Sequence, residues 1–75
     1  MANSLKTLRR LRSMTQEELS AKTGITARTI QNYENNLSSL RKASYENLVA
    51  LAGALNVSID DIFLDDISEF LKLPK

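Results

Sequence analysis

The stretch TQEELSAKTGITARTIQNYE, residues 15–34, carries the signals that decide how this chain folds. Thr15 and Glu18 have the spacing of a capping box, in which the threonine hydroxyl and the glutamate carboxylate each bond a backbone amide at a helix start. Gly24 lies where a residue with a left-handed backbone would end that helix, since glycine adopts this conformation without strain. The stretch therefore predicts a helix over residues 16–22.

A second helix in this stretch is predicted over residues 27–34, behind a Thr26 cap, and it is unusually polar. At about 100° per residue, Ile30 and Tyr33 fall on one side and anchor it. The opposite side is a continuous arc made by Ala27, Arg28, Gln31 and Asn32. A solvated helix face is the commoner explanation of such an arc. A surface that reads bases in the DNA major groove is the other, because arginine pairs with guanine, asparagine or glutamine with adenine, and a methyl group contacts thymine.

The spacing of the apolar residues favours the second explanation. Leu19, Gly24, Ile25, Ile30 and Tyr33 have the separations by which two short helices lock across a tight turn. In that arrangement the glycine permits the turn, Ile25 fills the gap between the helices, and Leu19 meets Ile30 beneath it. The pattern predicts a helix-turn-helix.

The rest of the chain predicts more helices, because no segment alternates apolar and polar residues as a half-buried strand would. A first helix should cover residues 4–12, with a stripe of leucines. The most apolar helix, residues 45–55 behind a Ser44 cap, should be the central packing element. The motif SIDD, residues 58–61, has the form of another cap and opens a short last helix.

The apolar helix over residues 45–55 carries three further predictions. Gly53 should permit close approach by a neighbouring element. Asn56 is a plausible left-handed residue just after the helix. Val49 lies at the margin of its predicted apolar face, which is formed by Tyr45, Leu48, Leu51, Ala52 and Leu55.

The composition bounds the function. Seventy-five residues make one domain, and the absence of cysteine and histidine removes disulfides, the usual zinc ligands and the usual general base. We therefore expect no enzyme activity, no cofactor and no metal site. No apolar run approaches the roughly 20 residues needed to span a bilayer. These bounds favour a small soluble cytoplasmic protein.

The net charge of +1 conceals an uneven distribution. Residues 1–43 hold eight basic and three acidic side chains, a balance of +5, whereas residues 44–75 hold two basic and six acidic ones, a balance of −4. This asymmetry is typical of a protein with one face for a polyanion, although chance segregation of solvated charges would look the same.

Two segments carry a resemblance to a known family. LRRLRSMTQEELSAKTGITARTIQNYEN, residues 8–35, and SYENLVALAGALNVSIDDIF, residues 44–63, resemble the phage repressor and Cro-like (XRE-like) family of helix-turn-helix DNA-binding regulators. The resemblance implies an all-α fold, a compact five-helix lambda-repressor-like domain whose second and third helices form the helix-turn-helix. That domain would occupy residues 1–64. Residues 65–75 would be a tail, and the sequence leaves open whether it forms a short helix or a dimer contact.

The family places its third helix in the major groove, which assigns base reading to Ala27, Arg28, Gln31 and Asn32. Contacts to DNA phosphates would come from the start of the second helix, from the threonines around the third helix, and from the segment after it: Gln16, Thr26, Thr29, Asn35, Asn36, Arg41 and Lys42. A plain helix-start residue is the alternative for Gln16, and a phosphate contact is the alternative for Arg28.

The resemblance also has a structural side. Arg9 and Glu34 match a pair that is partly buried and ionic in many relatives, whereas Arg10 and Arg12 are expected to be solvated or to add weak long-range attraction. The family usually has glycine at the position of Asn36, and we expect asparagine to keep the left-handed turn there. The loop that follows, over residues 35–43, is longer than in most relatives.

Two functional hypotheses follow. The first is a transcriptional regulator, of the repressor kind and encoded by a bacterium or phage, that binds double-stranded DNA as a homodimer on a two-fold operator. One short helix reads few base pairs, so two copies are needed for discrimination. The second is a protein-interaction module, such as an antitoxin-like protein, whose apolar and acidic tail over residues 65–75 binds a partner protein.

Overall fold

Six helices make up the part of the chain that the structure, a computed structural model, describes, which is residues 4–63. They are α1 (Ser4–Leu11), α2 (Gln16–Thr23), α3 (Ala27–Asn35), α4 (Leu37–Arg41), α5 (Tyr45–Leu55) and α6 (Ile59–Ile62). No strand occurs among these residues, so the prediction of an all-α fold is confirmed. The tail over residues 65–75, with the predictions made for it, lies outside the described residues.

The local capping signals act as the sequence predicts. At the start of α2 the Thr15 hydroxyl accepts a bond from the Glu18 amide at 3.0 Å, while the Glu18 carboxylate accepts one from the Thr15 amide at 2.8 Å. Gly24 follows α2 with φ of 78°, in the left-handed region. Asn56 ends α5 in the same way, with φ of 57°. Ser58 forms the second predicted capping box, at the start of α6.

The core is built almost entirely from leucine and isoleucine. α2 packs against both α3 and α5, and α1 packs against α3 and α6. The residues that fill the space between these helices are Leu5, Leu8, Leu19, Ile25, Ile30, Tyr33, Leu40, Leu51, Ala52, Leu55 and Ile62. The apolar residues that were predicted to pack the helix-turn-helix are among them, so α2 and α3 share one buried interface. These residues are Leu19, Ile25, Ile30 and Tyr33.

The expected long loop after α3 contains a helix instead, so the domain has six helices in the described residues and not the expected five. Asn36 has φ of −142° and ψ of 101°, which is extended backbone. Our prediction of a left-handed turn there is wrong. The Asn36 side chain instead caps α4, because its Oδ1 accepts from the amides of Ser38 at 3.0 Å and Ser39 at 3.3 Å. Leu40 is fully buried and anchors α4 to the core.

The predicted apolar face of α5 is narrower than the sequence indicates. Leu51, Ala52 and Leu55 are buried, but Tyr45 is 73% exposed, so its assignment to that face is wrong. Gly53 is exposed, and a β-carbon at this position would have no neighbour within 4 Å among residues 4–63. The prediction of close approach at Gly53 is therefore wrong as well.

Three long-range hydrogen bonds, from Ser4 and Arg12, close the domain. The Ser4 hydroxyl donates to the carbonyl of Ile62, which joins the start of α1 to the end of α6. Arg12 Nε donates to the Leu55 carbonyl at 2.8 Å, and Arg12 Nη2 to the Asn56 carbonyl at 3.4 Å. The expectation that Arg12 is merely solvated is wrong, because its guanidinium satisfies carbonyls at the C-terminus of α5 that have no partner within the helix.

Candidate nucleic-acid interface

α3 buries Ile30, Tyr33 and Glu34 and turns its opposite face outward. Ile30 is fully buried and Tyr33 nearly so, while Arg28, Gln31 and Asn32 are exposed and Ala27 is half-buried. The exposed side chains line one surface depression, formed by Arg28, Thr29, Gln31, Asn32 and Asn35. The arrangement brings three hydrogen-bonding side chains of different chemistry together on one face, with donors and acceptors suited to base edges.

Polar bonds hold both ends of α3. At its start the Thr26 hydroxyl accepts from the Thr29 amide at 3.2 Å and donates to the Thr29 hydroxyl at 2.9 Å. Because Thr26 supplies the hydrogen of the bond between the two hydroxyls, the Thr29 hydroxyl keeps its own hydrogen for another acceptor. Toward the end of α3, Asn47 Nδ2 of α5 donates to the Tyr33 hydroxyl at 3.0 Å. Hydrogen bonds therefore tie both ends of the exposed face to neighbouring groups.

A buried ion pair ties α1 to the end of α3. Arg9 Nε donates to Glu34 Oε2 at 2.6 Å, and Arg9 Nη2 donates to Glu34 Oε1 at 3.1 Å. The side chains are 10% and 1% exposed, so both charges are largely removed from water. The hydrogen bond to Glu34 raises the pKa of the Arg9 guanidinium above its ordinary value, against the opposing effect of burial. Arg9 Nη1 also donates to the Met14 carbonyl at 2.7 Å.

Gln16 joins this network from α2, a contact that the sequence analysis missed. Its Nε2 donates to Glu34 Oε1 at 3.0 Å, so one carboxylate accepts bonds from both α1 and α2. No local pattern reports this bond, because the two residues are 18 positions apart. The backbone amides of Gln16 and Glu17, at the free end of α2, bond no other group among residues 4–63.

The family is decided by comparison with known proteins. A family model described as helix-turn-helix, of the Cro/repressor-like (XRE-like) kind, matches residues 5–62. The chain belongs to this helix-turn-helix family. The resemblance identified from the sequence is thereby confirmed, and with it a general role as a DNA-binding regulator. Comparison with curated proteins and with solved structures gives no match.

The other positions that were predicted to contact phosphate lie around α4 of this helix-turn-helix domain. Arg41 and Lys42 are exposed at its C-terminal end, and Asn35 is exposed at the end of α3. Asn36 is exposed too, but its side-chain oxygen is occupied by the cap of α4. Arg41 and Lys42 can therefore offer a ligand their positive charges. Asn35 can offer both the donor and the acceptor of its side-chain amide, whereas Asn36 can offer only the donor.

Two absences complete the description of the helix-turn-helix domain. Residues 4–63 contain no cluster of three or more carboxylate, histidine or cysteine side chains that could hold a metal ion. No helix in the same range has the length and apolar character needed to cross a membrane.

Proposed function

We propose that the protein is a transcriptional regulator that binds specific sequences of double-stranded DNA, with α3 in the major groove. The observation that carries the proposal is the orientation of α3. Ile30 and Tyr33 are buried, while Arg28, Gln31 and Asn32 are exposed on the other side. A helix that is anchored along one side and displays polar side chains on the other has a free face that the major groove can accept.

Base reading falls to the exposed face of α3. Arg28 and Asn32 are one turn apart and share a face, so they can reach neighbouring base pairs. We assign Arg28 to guanine, through its two parallel donors, and Asn32 to adenine, through its amide. We assign Ala27 to contact with a thymine methyl group and Gln31 to a further hydrogen bond.

Phosphate contacts would come from the two sides of α3. The open amides at the start of α2, together with Gln16, suit one phosphate, because the N-terminus of a helix attracts an anion. The Thr29 hydroxyl can donate to the same strand, with Thr26 holding it in place. On the other side Asn35, Arg41 and Lys42 are exposed, with Asn36 contributing only its donor end.

A homodimer on a two-fold operator follows from the size of the reading surface. α3 has nine residues and reads few base pairs, so two copies spaced about 34 Å apart on one face of the DNA would be required for discrimination. We propose that the protein acts as a repressor in the cytoplasm of a bacterium and that its gene is bacterial or phage-encoded. The DNA-binding domain would be residues 1–64, and residues 65–75 would be available for the dimer contact.

The experiment that tests the proposal is selection of bound fragments from random double-stranded DNA, followed by affinity measurements at a fixed, stated salt concentration. Selection should return a two-fold related site. Arg28→Ala should then lose discrimination at one base pair per half-site, at a cost of about 1–3 kcal/mol.

The matched control is Arg10→Ala, which removes the same charge from an exposed position of α1, outside the proposed interface. It should weaken binding to all sequences alike, because it changes only long-range attraction. If Arg28→Ala keeps full discrimination at every base pair, α3 does not read DNA through this face.

A further inference from the structure

We infer that Gln16 is a positioning residue, which fixes the angle between α2 and α3 and so contributes to discrimination between sequences as well as to affinity. The inference rests on the proposed function and adds a specificity-determining role for a residue assigned to phosphate contact. It is carried by the bond from Gln16 Nε2 to Glu34 Oε1, 3.0 Å long.

The bond lies at the open end of the helix-turn-helix. The tight turn at Gly24 joins the C-terminus of α2 to the N-terminus of α3. Gln16 is the first residue of α2, and Glu34 is the second-last residue of α3, so each lies at the end of its helix that is farthest from the turn. α2 and α3 therefore form two sides of a triangle that meet at the turn, and the bond between Gln16 and Glu34 joins their far ends.

The distance from the turn determines how effective this bond is. Gln16 lies about 10 Å from the end of α2, at about 1.5 Å per residue, and Glu34 lies equally far along α3. A displacement of 1 Å at that distance changes the angle between the helices by about 6°. No bond closer to the turn could restrict the angle as strongly.

The acceptor is itself fixed. Glu34 is 1% exposed and is held by two bonds from Arg9, and Arg9 is held in turn by the Met14 carbonyl. Among the described residues no buried side-chain nitrogen or oxygen lacks a partner, so a rotation of the Glu34 carboxylate would break bonds that are already made. Gln16 therefore bonds to a rigid group.

A change in the angle affects the residues of α3 unequally. Arg28 lies one residue from the start of α3, close to the turn, whereas Asn32 lies about 7 Å farther out than the first residue. A rotation of about 6° moves Asn32 by about 0.8 Å and Arg28 by about 0.2 Å. Hydrogen bonds to base edges tolerate errors of only a few tenths of an ångström, so the base pair read by Asn32 should lose discrimination first.

The test uses Gln16→Met, which keeps the length of the side chain and removes its donors. Arg28→Ala and Asn32→Ala, measured on the selected operator, identify the base pair that each residue reads. Gln16→Met should then reduce discrimination at the Asn32 base pair by about three- to tenfold and leave discrimination at the Arg28 base pair within about twofold of wild type. A phosphate contact alone would weaken binding to every sequence alike and leave both ratios unchanged, and that result overturns the inference.

Lys22→Met is the matched control, since it removes an exposed charge from the other end of α2, next to the turn. It should reduce affinity without changing either ratio. A second measurement needs no DNA: amide resonances over residues 31–35 of the free protein should shift in Gln16→Met and stay in place in Lys22→Met. If the wild type binds all DNA alike, the proposed function fails. If the α3 resonances do not move, the inference fails, whatever the wild type binds.

Discussion

Glu34→Ala should be the most destabilising single substitution of a charged residue in the described part of the chain. The carboxylate accepts three hydrogen bonds, at 2.6, 3.0 and 3.1 Å, and is 1% exposed. Its removal leaves the Arg9 charge, which is 10% exposed in the wild type, with the Met14 carbonyl as its one remaining partner among residues 4–63. Breaking a buried pair in this way costs about 3–5 kcal/mol.

That cost is large for a domain of this size. At about 0.05–0.15 kcal/mol per residue, a 75-residue protein is stable by about 4–11 kcal/mol. Glu34→Ala should therefore remove at least a quarter of the free energy of unfolding and lower the Tm by more than about 12 °C. The measurement is urea and thermal unfolding followed by circular dichroism at neutral pH.

The design includes a compensated variant and a control. Arg9→Met combined with Glu34→Leu removes both charges and fills the space with apolar atoms, so it should recover most of the lost stability. Glu46→Ala, at an exposed position in the first turn of α5, should stay within about 0.5 kcal/mol of wild type. If Glu34→Ala costs under about 1 kcal/mol, or if the double variant is no more stable than the single one, the burial argument is wrong.

The arginine side of the pair has a defined pH dependence. The pKa of Arg9 is raised in the folded state, so its contribution to stability is fully present below the ordinary arginine pKa and is lost only as the pH rises through the raised value. The deficit of Glu34→Ala should accordingly be the same at pH 7 and pH 10. It should also persist at 1 M salt, because buried charges are screened far less than exposed ones.

The backbone gives two further predictions, both measured by urea unfolding. Ser13 has φ of 58°, where a side chain is strained, so Ser13→Gly should raise the free energy of unfolding by about 0.5–1 kcal/mol. Gly24 has φ of 78°, so Gly24→Ala should lower the free energy of unfolding by about 1 kcal/mol. Equal effects of the two substitutions would contradict the reasoning. Asn36→Ala should lower the free energy of unfolding by about 1 kcal/mol, because it removes the cap of α4. The amides of Ser38 and Ser39 should then exchange hydrogen faster. Unchanged exchange at these amides would show that the cap does not hold α4.

Capping signals made most of the fold predictable from the sequence. The Thr15 and Ser58 boxes and the left-handed residues Gly24 and Asn56 are local devices, complete within four or five residues, and each acts in the structure as the sequence predicts. The buried positions of the helix-turn-helix were predictable for a related reason. Their spacing is set by the geometry of two helices and one turn, which a single sequence records.

The failures have a common cause in tertiary context. α4 is only five residues long, too short for periodicity to show, and its existence depends on the burial of Leu40. Tyr45 lies at helical spacing with buried residues, yet no element among residues 4–63 covers that side of α5, and it is exposed. Arg12 bonds carbonyls 43 and 44 positions away. Contacts at such separations leave no trace in local sequence patterns.

The candidate site also has one part that the sequence predicts and one part that depends on tertiary contacts. That Arg28 and Asn32 are exposed on one face follows from the position of Ile30 and Tyr33 along the helix, and the sequence was sufficient to predict it. How rigidly that face is presented depends on the carboxylate of Glu34, where side chains from three helices converge. The chemistry displayed was therefore predictable from the sequence, and the Arg9–Glu34 pair was predictable through the family resemblance. The bond from Gln16 that completes the network was not.

The bond between Ser4 and Ile62 has a consequence for protein engineering. Because the first and last helices of the described region touch, a linker of a few residues could join them into a ring, and new chain ends could be opened at the exposed residues between α4 and α5. Such a circular permutant would keep α2, its turn and α3 as one uninterrupted stretch. Tags or fused domains could then be attached at a second location on the surface without altering the order of any residue between Ser4 and Arg41.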